Sequence, residues 1–135
     1  MSLVRVFRVA ICSLYWLGLT VLLLVPNPAR ALGMRRMLAL PWGDLGIHFA
    51  AFTLLSLLVC VARWPRPIGW PMVALTIYAV TIESLQALVP PRTVELKDFA
   101  ENVLGIAVGL GVYWCARRMM GQAGAERVST AGRVV

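Results

Sequence analysis

The chain is predicted to be all-α, an integral membrane bundle of four transmembrane helices, and three observations carry the prediction. Of its 135 residues 60% are hydrophobic and 14% charged, against roughly 25% charged in water-soluble domains. Four apolar runs are separated by proline and charge, and each approaches the ~20 residues that a bilayer span requires. Lipid leaves an open backbone unsatisfied, so spans of this length must be helical. The length holds one domain, set at residues 1–120, with a mobile cytoplasmic tail of Gly, Ala, Ser and Arg at 121–135. Four such spans are expected to leave little of the 135 residues over for a soluble catalytic domain.

The first span is placed at 9–25 and stops at Pro26-Asn27-Pro28, since the residue before a proline is pushed out of the helical region. A rival reading makes this run a signal peptide, with Arg5 and Arg8 as its charged region and Ala29-Arg30-Ala31 as a cleavage site. The second span, 45–62, follows Pro41 and ends before Pro65 and Pro67; the third, 68–89, ends at Pro90-Pro91. The fourth run is apolar only over 103–116 and needs 99–102 to complete its crossing, which puts polar side chains on the first turns of a membrane helix. The segment 26–43, with Met34 and Met37 among Arg30, Arg35 and Arg36, is read either as an interfacial lid or as a solvated connection. Cys12, Cys60 and Cys115 lie in apolar runs without metal or disulfide spacing and are expected to pack as small apolar groups.

Orientation follows from the basic residues on alternate sides of the spans. Arg5, Arg8, Arg63, Arg66, Arg117, Arg118, Arg127 and Arg133 fall on the side of both termini; Arg30, Arg35, Arg36, Arg92 and Lys97 fall on the other. Both termini are therefore expected in the cytoplasm, with the protein in the bacterial cytoplasmic (inner) membrane. All acids but Glu126 lie on the opposite side, so the net charge of +7 is a cytoplasmic fringe suited to anionic lipid head groups. The lipid bilayer is the expected partner and nucleic acid is not.

Costly side chains recur at helical spacings. Asp44 and His48 are i, i+4 at the start of the second span, Glu83 and Gln86 are i, i+3 at the end of the third, and Asp98 and Asn102 are i, i+4 entering the fourth. With alternating span directions all three pairs emerge at one level near the outer surface, beside Arg92 in the short loop. Ionisable groups at membrane depth usually face the bundle interior and mark a working site. One turn further on, Gly105 and Gly109 form a small-xxx-small pair expected to let a neighbouring helix approach the fourth span.

The pattern Asp44-x-x-x-His48-x-x-x-Phe52, followed by Glu83-x-x-Gln86-x-x-x-Pro90-x-Arg92-x5-Asp98-x-x-x-Asn102-x-x-Gly105-x-x-x-Gly109, resembles the VanZ-like family of small bacterial membrane proteins. The residue after the first aspartate, often lysine in that family, is Leu45 here. The resemblance implies a multi-pass cell-envelope protein and a link to glycopeptide (teicoplanin-type) antibiotic resistance that lies outside the altered peptidoglycan-precursor pathway.

Three roles are open to the cluster Asp44, His48, Glu83, Gln86, Arg92, Asp98 and Asn102. It binds or shields a lipid-linked intermediate, a head group or an amphiphilic antibiotic, Arg92 pairing with phosphate or carboxylate and Glu83 and Asp98 with an amine. It is a hydrogen-bonded network that only pins helices together. Or His48 acts as general base, with Asp44 fixing its tautomer. No Ser or Cys nucleophile motif and no complete metal set accompany it, so enzyme activity is not the favoured reading and neither cofactor nor metal is expected. A homo-oligomer is compatible with the small-residue pair.

Overall fold

The computed structural model describes residues 2–26, 46–62, 69–90 and 96–131. Among them the chain is all-helical, with α1 at Leu3–Leu24, α2 at Ile47–Val61, α3 at Gly69–Gln86 and α4 at Leu96–Ala131. Asp44, Arg92, and the segment from 27 to 43 read as lid or connection all lie outside the described residues.

Local chemistry explains the helix ends. Val25, in front of Pro26, sits at φ −69°, ψ 131°, the extended geometry that a following proline imposes, and α1 stops there. At the other end α1 begins six residues before the predicted 9–25: Arg5 and Arg8 exclude that turn from hydrocarbon but do not oppose helix formation. Gly46 precedes α2 at φ +96°, a left-handed conformation that glycine adopts without a Cβ penalty. Pro71 is tolerated in the first turn of α3, where no intrahelical N–H bond is forgone. Helix α4 carries Asp98 in its first turn, an acid placed favourably for the helix dipole, and meets no proline afterwards. It therefore continues past residue 120, where the sequence reading begins a tail, as far as Ala131.

Around the bundle the helices are ordered α1, α2, α4, α3, and α2 and α4 form the most extensive contact; Phe49, Thr53 and Ser56 meet Gly105 and Gly109 in the same order along both helices, so the pair is parallel. Gly105 and Gly109 explain that intimacy: a Cβ on Gly105 would strike the Phe49 carbonyl oxygen, and one on Gly109 would strike the Ser56 hydroxyl and lie 2.5 Å from the Thr53 carbonyl oxygen. The small-xxx-small pair thus packs within the chain, glycine against backbone. Between the helices lie Cys12, Leu19 and Leu23 of α1, Phe52, Leu55 and Val59 of α2, Leu75, Ala79 and Ile82 of α3, and Ile106 and Leu110 of α4. Cys60 is buried too, whereas Cys115, expected to pack, is exposed.

A polar and aromatic layer ties α1 into the bundle. The Tyr15 hydroxyl donates to the Ala51 carbonyl at 3.0 Å, and Thr20 donates to the Trp16 carbonyl at 2.8 Å. With its one proton so committed, Thr20 accepts from the Tyr78 hydroxyl, also at 2.8 Å. Tyr78 meets Trp16 edge to face at 5.1 Å between ring centroids.

Two helical stretches are long and apolar enough to cross a membrane, Leu3–Leu24 and Leu96–Gln122. Only 17% and 28% of their apolar windows are buried, far from the enclosure of a soluble core helix. Leu14, Leu17, Val108 and Val112 are among the bulky side chains they expose. Helix α2 is apolar but has 15 residues, about 22 Å at ~1.5 Å per residue, so among the described residues two of the four predicted spans qualify on length and composition.

Candidate functional site

Of the polar groups singled out in the sequence, the described ones, His48, Glu83, Gln86, Asp98 and Asn102, gather where α2 and α4 begin and α1 and α3 end. Asp98, Asn102, Gly105 and Gly109 recur at steps of four, three and four, which keeps them on one stripe of α4. Polar positions lead that stripe and glycines continue it, so the close approach at Gly105 and Gly109 draws His48 of α2 down between Asp98 and Asn102.

The buried half of the site is a hydrogen-bonded relay. Asn102, with no exposed surface, donates its amide Nδ2 to Glu83 Oε1 at 2.9 Å. That orientation of the amide suits an ionised Glu83, because a carboxylate only accepts. Asn102 Oδ1 is consequently turned to His48 Nδ1, at 3.1 Å. A carbonyl oxygen has no proton to give, so the imidazole donates from Nδ1. In the neutral ring this leaves the lone pair of Nε2 pointing outward, and the group it meets is Asp98, whose Oδ2 lies 3.8 Å away. Glu83 Oε1 is also 3.8 Å from His48 Nδ1, close enough for charge to be felt but beyond a hydrogen bond.

Burial divides the cluster into floor and rim. Glu83 and Asn102 are 5% and 0% exposed. The side chains of His48 and Asp98 keep 13% and 26% of their surface. Among the described residues no buried side-chain nitrogen or oxygen lacks a hydrogen-bond partner, so the floor is complete.

Gln86 belongs to a different connection. It is buried like Glu83, yet its Nε2 donates at 2.9 Å to the Leu23 carbonyl, one of the last-turn acceptors of α1 that no intrahelical donor reaches. Replacing Gln86 with leucine is expected to strand that carbonyl and lower stability by about 1–3 kcal/mol, read as a lower melting temperature in detergent with the His48 relay intact.

One participant escaped the sequence reading. Glu101 accepts from the Gly46 amide at 3.1 Å and lies 3.8 Å from Lys97 Nζ, placing an anion at the N-terminus of α2. Its i, i+4 spacing from Lys97 was visible as a surface pair; nothing local announced that it also anchors the entry to α2.

The profile of the VanZ/LLP1 family matches residues 9–117, which include all four helices in whole or in part and every member of this cluster. No curated protein and no solved structure matches the chain. Family membership and the two exposed apolar helices together point to a membrane protein, and a match over most of its length makes this chain a member of the VanZ/LLP1 family.

Proposed function

We propose that the chain is a four-span protein of the bacterial inner membrane with both termini in the cytoplasm, and that the rim formed by His48 and Asp98 binds the polar part of an envelope amphiphile at the outer surface. The ligand class comprises lipid-linked intermediates, lipid head groups and amphiphilic antibiotics, and glycopeptide resistance of the teicoplanin type is the phenotype to which such binding or shielding would contribute. Arginine asymmetry supports the orientation. With α2 and α3 directed oppositely, that orientation brings the ends carrying the cluster to the outer leaflet.

The observation that carries the reading is the division between floor and rim. A network needed only to clasp helices would bury all its members, whereas here the sealed pair Glu83 and Asn102 holds two partly exposed groups at a set spacing. Rigid support beneath an accessible pair is what a preorganised binding site requires. Arg92, outside the described residues, belongs to the proposed site through its place beside the cluster in the sequence.

The test compares His48→Ala and Asp98→Asn with wild type in cells, measuring membrane expression, melting temperature and survival against teicoplanin and a panel of cationic and anionic amphiphiles. Retained melting temperature, within about 2 °C for changes at this partly exposed rim, with at least a fourfold loss of protection is the expected outcome. Loss of stability in step with protection would make the cluster a structural clasp. Unchanged stability together with unchanged protection would remove the binding role.

A further inference from the structure

The relay that fixes His48 also specifies what the rim can accept. Asn102 commits the Nδ1 proton inward, so in the neutral ring the rim is made of two acceptors, the Nε2 lone pair and the Asp98 carboxylate. Their atoms are 3.8 Å apart, too far for a direct hydrogen bond and unfavourable as two facing lone pairs. A single donor atom placed about 2.8 Å from each satisfies both, the ordinary length of an N–H···O or N–H···N contact. It must supply two protons in different directions, and beside a carboxylate a positive charge strengthens the bond.

We infer that the notch between His48 Nε2 and Asp98 Oδ2 is selective for a primary ammonium group on an amphiphile, bound through two N–H donors. The inference rests on the rim being a binding site and narrows its ligand. A quaternary ammonium carries the same charge without a donor, and a phosphate brings only acceptors or a hydroxyl beside a carboxylate. Neither resolves the opposition of lone pairs. Lys97, next to Asp98 in the sequence, is paired with Glu101 on the α2 anchor, not with Asp98. Glu83 faces the other side of the imidazole, at Nδ1, and reinforces the inward commitment of that proton.

The chain has one histidine, so nitrogen NMR of the full-length, histidine-labelled protein in phosphatidylcholine nanodiscs reports this ring alone. Three C12 probes are titrated at pH 7.5: dodecylamine hydrochloride, dodecyltrimethylammonium and dodecyl phosphate. Before addition the spectrum is expected to show the tautomer protonated at Nδ1. Dodecylamine should shift Nε2 saturably, with at least tenfold higher affinity than dodecyltrimethylammonium, and Asp98→Asn should weaken it by tenfold or more. If that variant does not fold, the comparison of the two cations on wild type decides the matter. A ring protonated at Nε2 before any probe is added, or equal saturable shifts with both cations, overturns the donor rule. Saturable binding of dodecyl phosphate in preference to dodecylamine overturns it too, while leaving the rim a binding site. A response to none of the three overturns the ammonium inference, and survival of the variants in cells then judges the broader reading separately.

Discussion

Gly109→Val is expected to be the most damaging single replacement in the chain. Helix α4 approaches α2 at this point so closely that a first side-chain carbon already strikes Ser56 and comes within 2.5 Å of the Thr53 carbonyl oxygen. The serine hydroxyl has room to rotate, but the carbonyl is backbone, so the two helices must separate. Overpacking in a well-filled interior costs about 1–3 kcal/mol even where side chains alone adjust, and displacement of backbone belongs at or beyond the top of that range. Separation here also pulls His48 off Asn102, because both contacts lie on the same stripe of α4. Loss of folded protein in detergent, and of any protective phenotype, is the result to look for by size-exclusion chromatography and thermal melting. Gly105→Ala, aimed at the Phe49 carbonyl, should behave in the same direction. Gly111 has open space around it, and Gly111→Ala should leave the melting temperature unchanged or slightly higher, since alanine is the better helix former by roughly 1 kcal/mol. Equal tolerance at 109 and 111 would mean that the close approach does not hold the bundle together.

Asn102→Leu is expected to rank second. The replacement is similar in size, so what it removes is the pair of hydrogen bonds rather than volume. Glu83, buried at 5% exposure, loses the amide that donates to its Oε1, and His48 loses the acceptor for its Nδ1 proton. Removing a buried hydrogen bond to a charged group commonly costs about 1.5–3 kcal/mol, and the stranded Nδ1 proton of His48 adds to that loss. Two companion variants separate the causes. In Glu83→Gln a neutral carbonyl still accepts from Asn102, and the loss should be nearer 1 kcal/mol. Combining Asn102→Leu with Glu83→Met removes donor and acceptor together and should recover part of the stability lost by Asn102→Leu alone, as a double-mutant cycle in detergent will reveal. Strict additivity of the two changes would show that Asn102 and Glu83 do not depend on one another.

Both predictions concern contacts that join helices far apart in sequence, and the limits of the sequence reading lie at the same joints. The spacing of Asp98 and Asn102 puts them on one face of one helix, and His48 reaches both from α2. The spacing of Glu83 and Gln86 pairs them on similar grounds, yet a step of three residues turns about 60° away from exact alignment on a helix. That turn is enough to give them different neighbours: Glu83 meets α4, and Gln86 meets the end of α1. Glu101 shows the converse case. Its local partner Lys97 was visible at four residues' distance, while its bond to Gly46 spans 55 residues and had no local signal.

Helical class, the stopping of α1 before Pro26, and the level at which the polar residues collect could all be read from hydropathy, proline positions and the helical repeat. These are properties of one segment and its immediate neighbours, and the physics behind them acts over a few residues. The order of helices around the bundle, the parallel pairing of α2 with α4, and the direction of each hydrogen bond in the His48 relay were decided by the tertiary structure. Periodicity states which residues share a face; it cannot state how far each helix is rotated about its axis or which face it meets. Glycine backbone packed against backbone settled the rotation of α4 against α2, and once that was settled the carboxylate of Glu83 determined which way Asn102, and through it His48, must point.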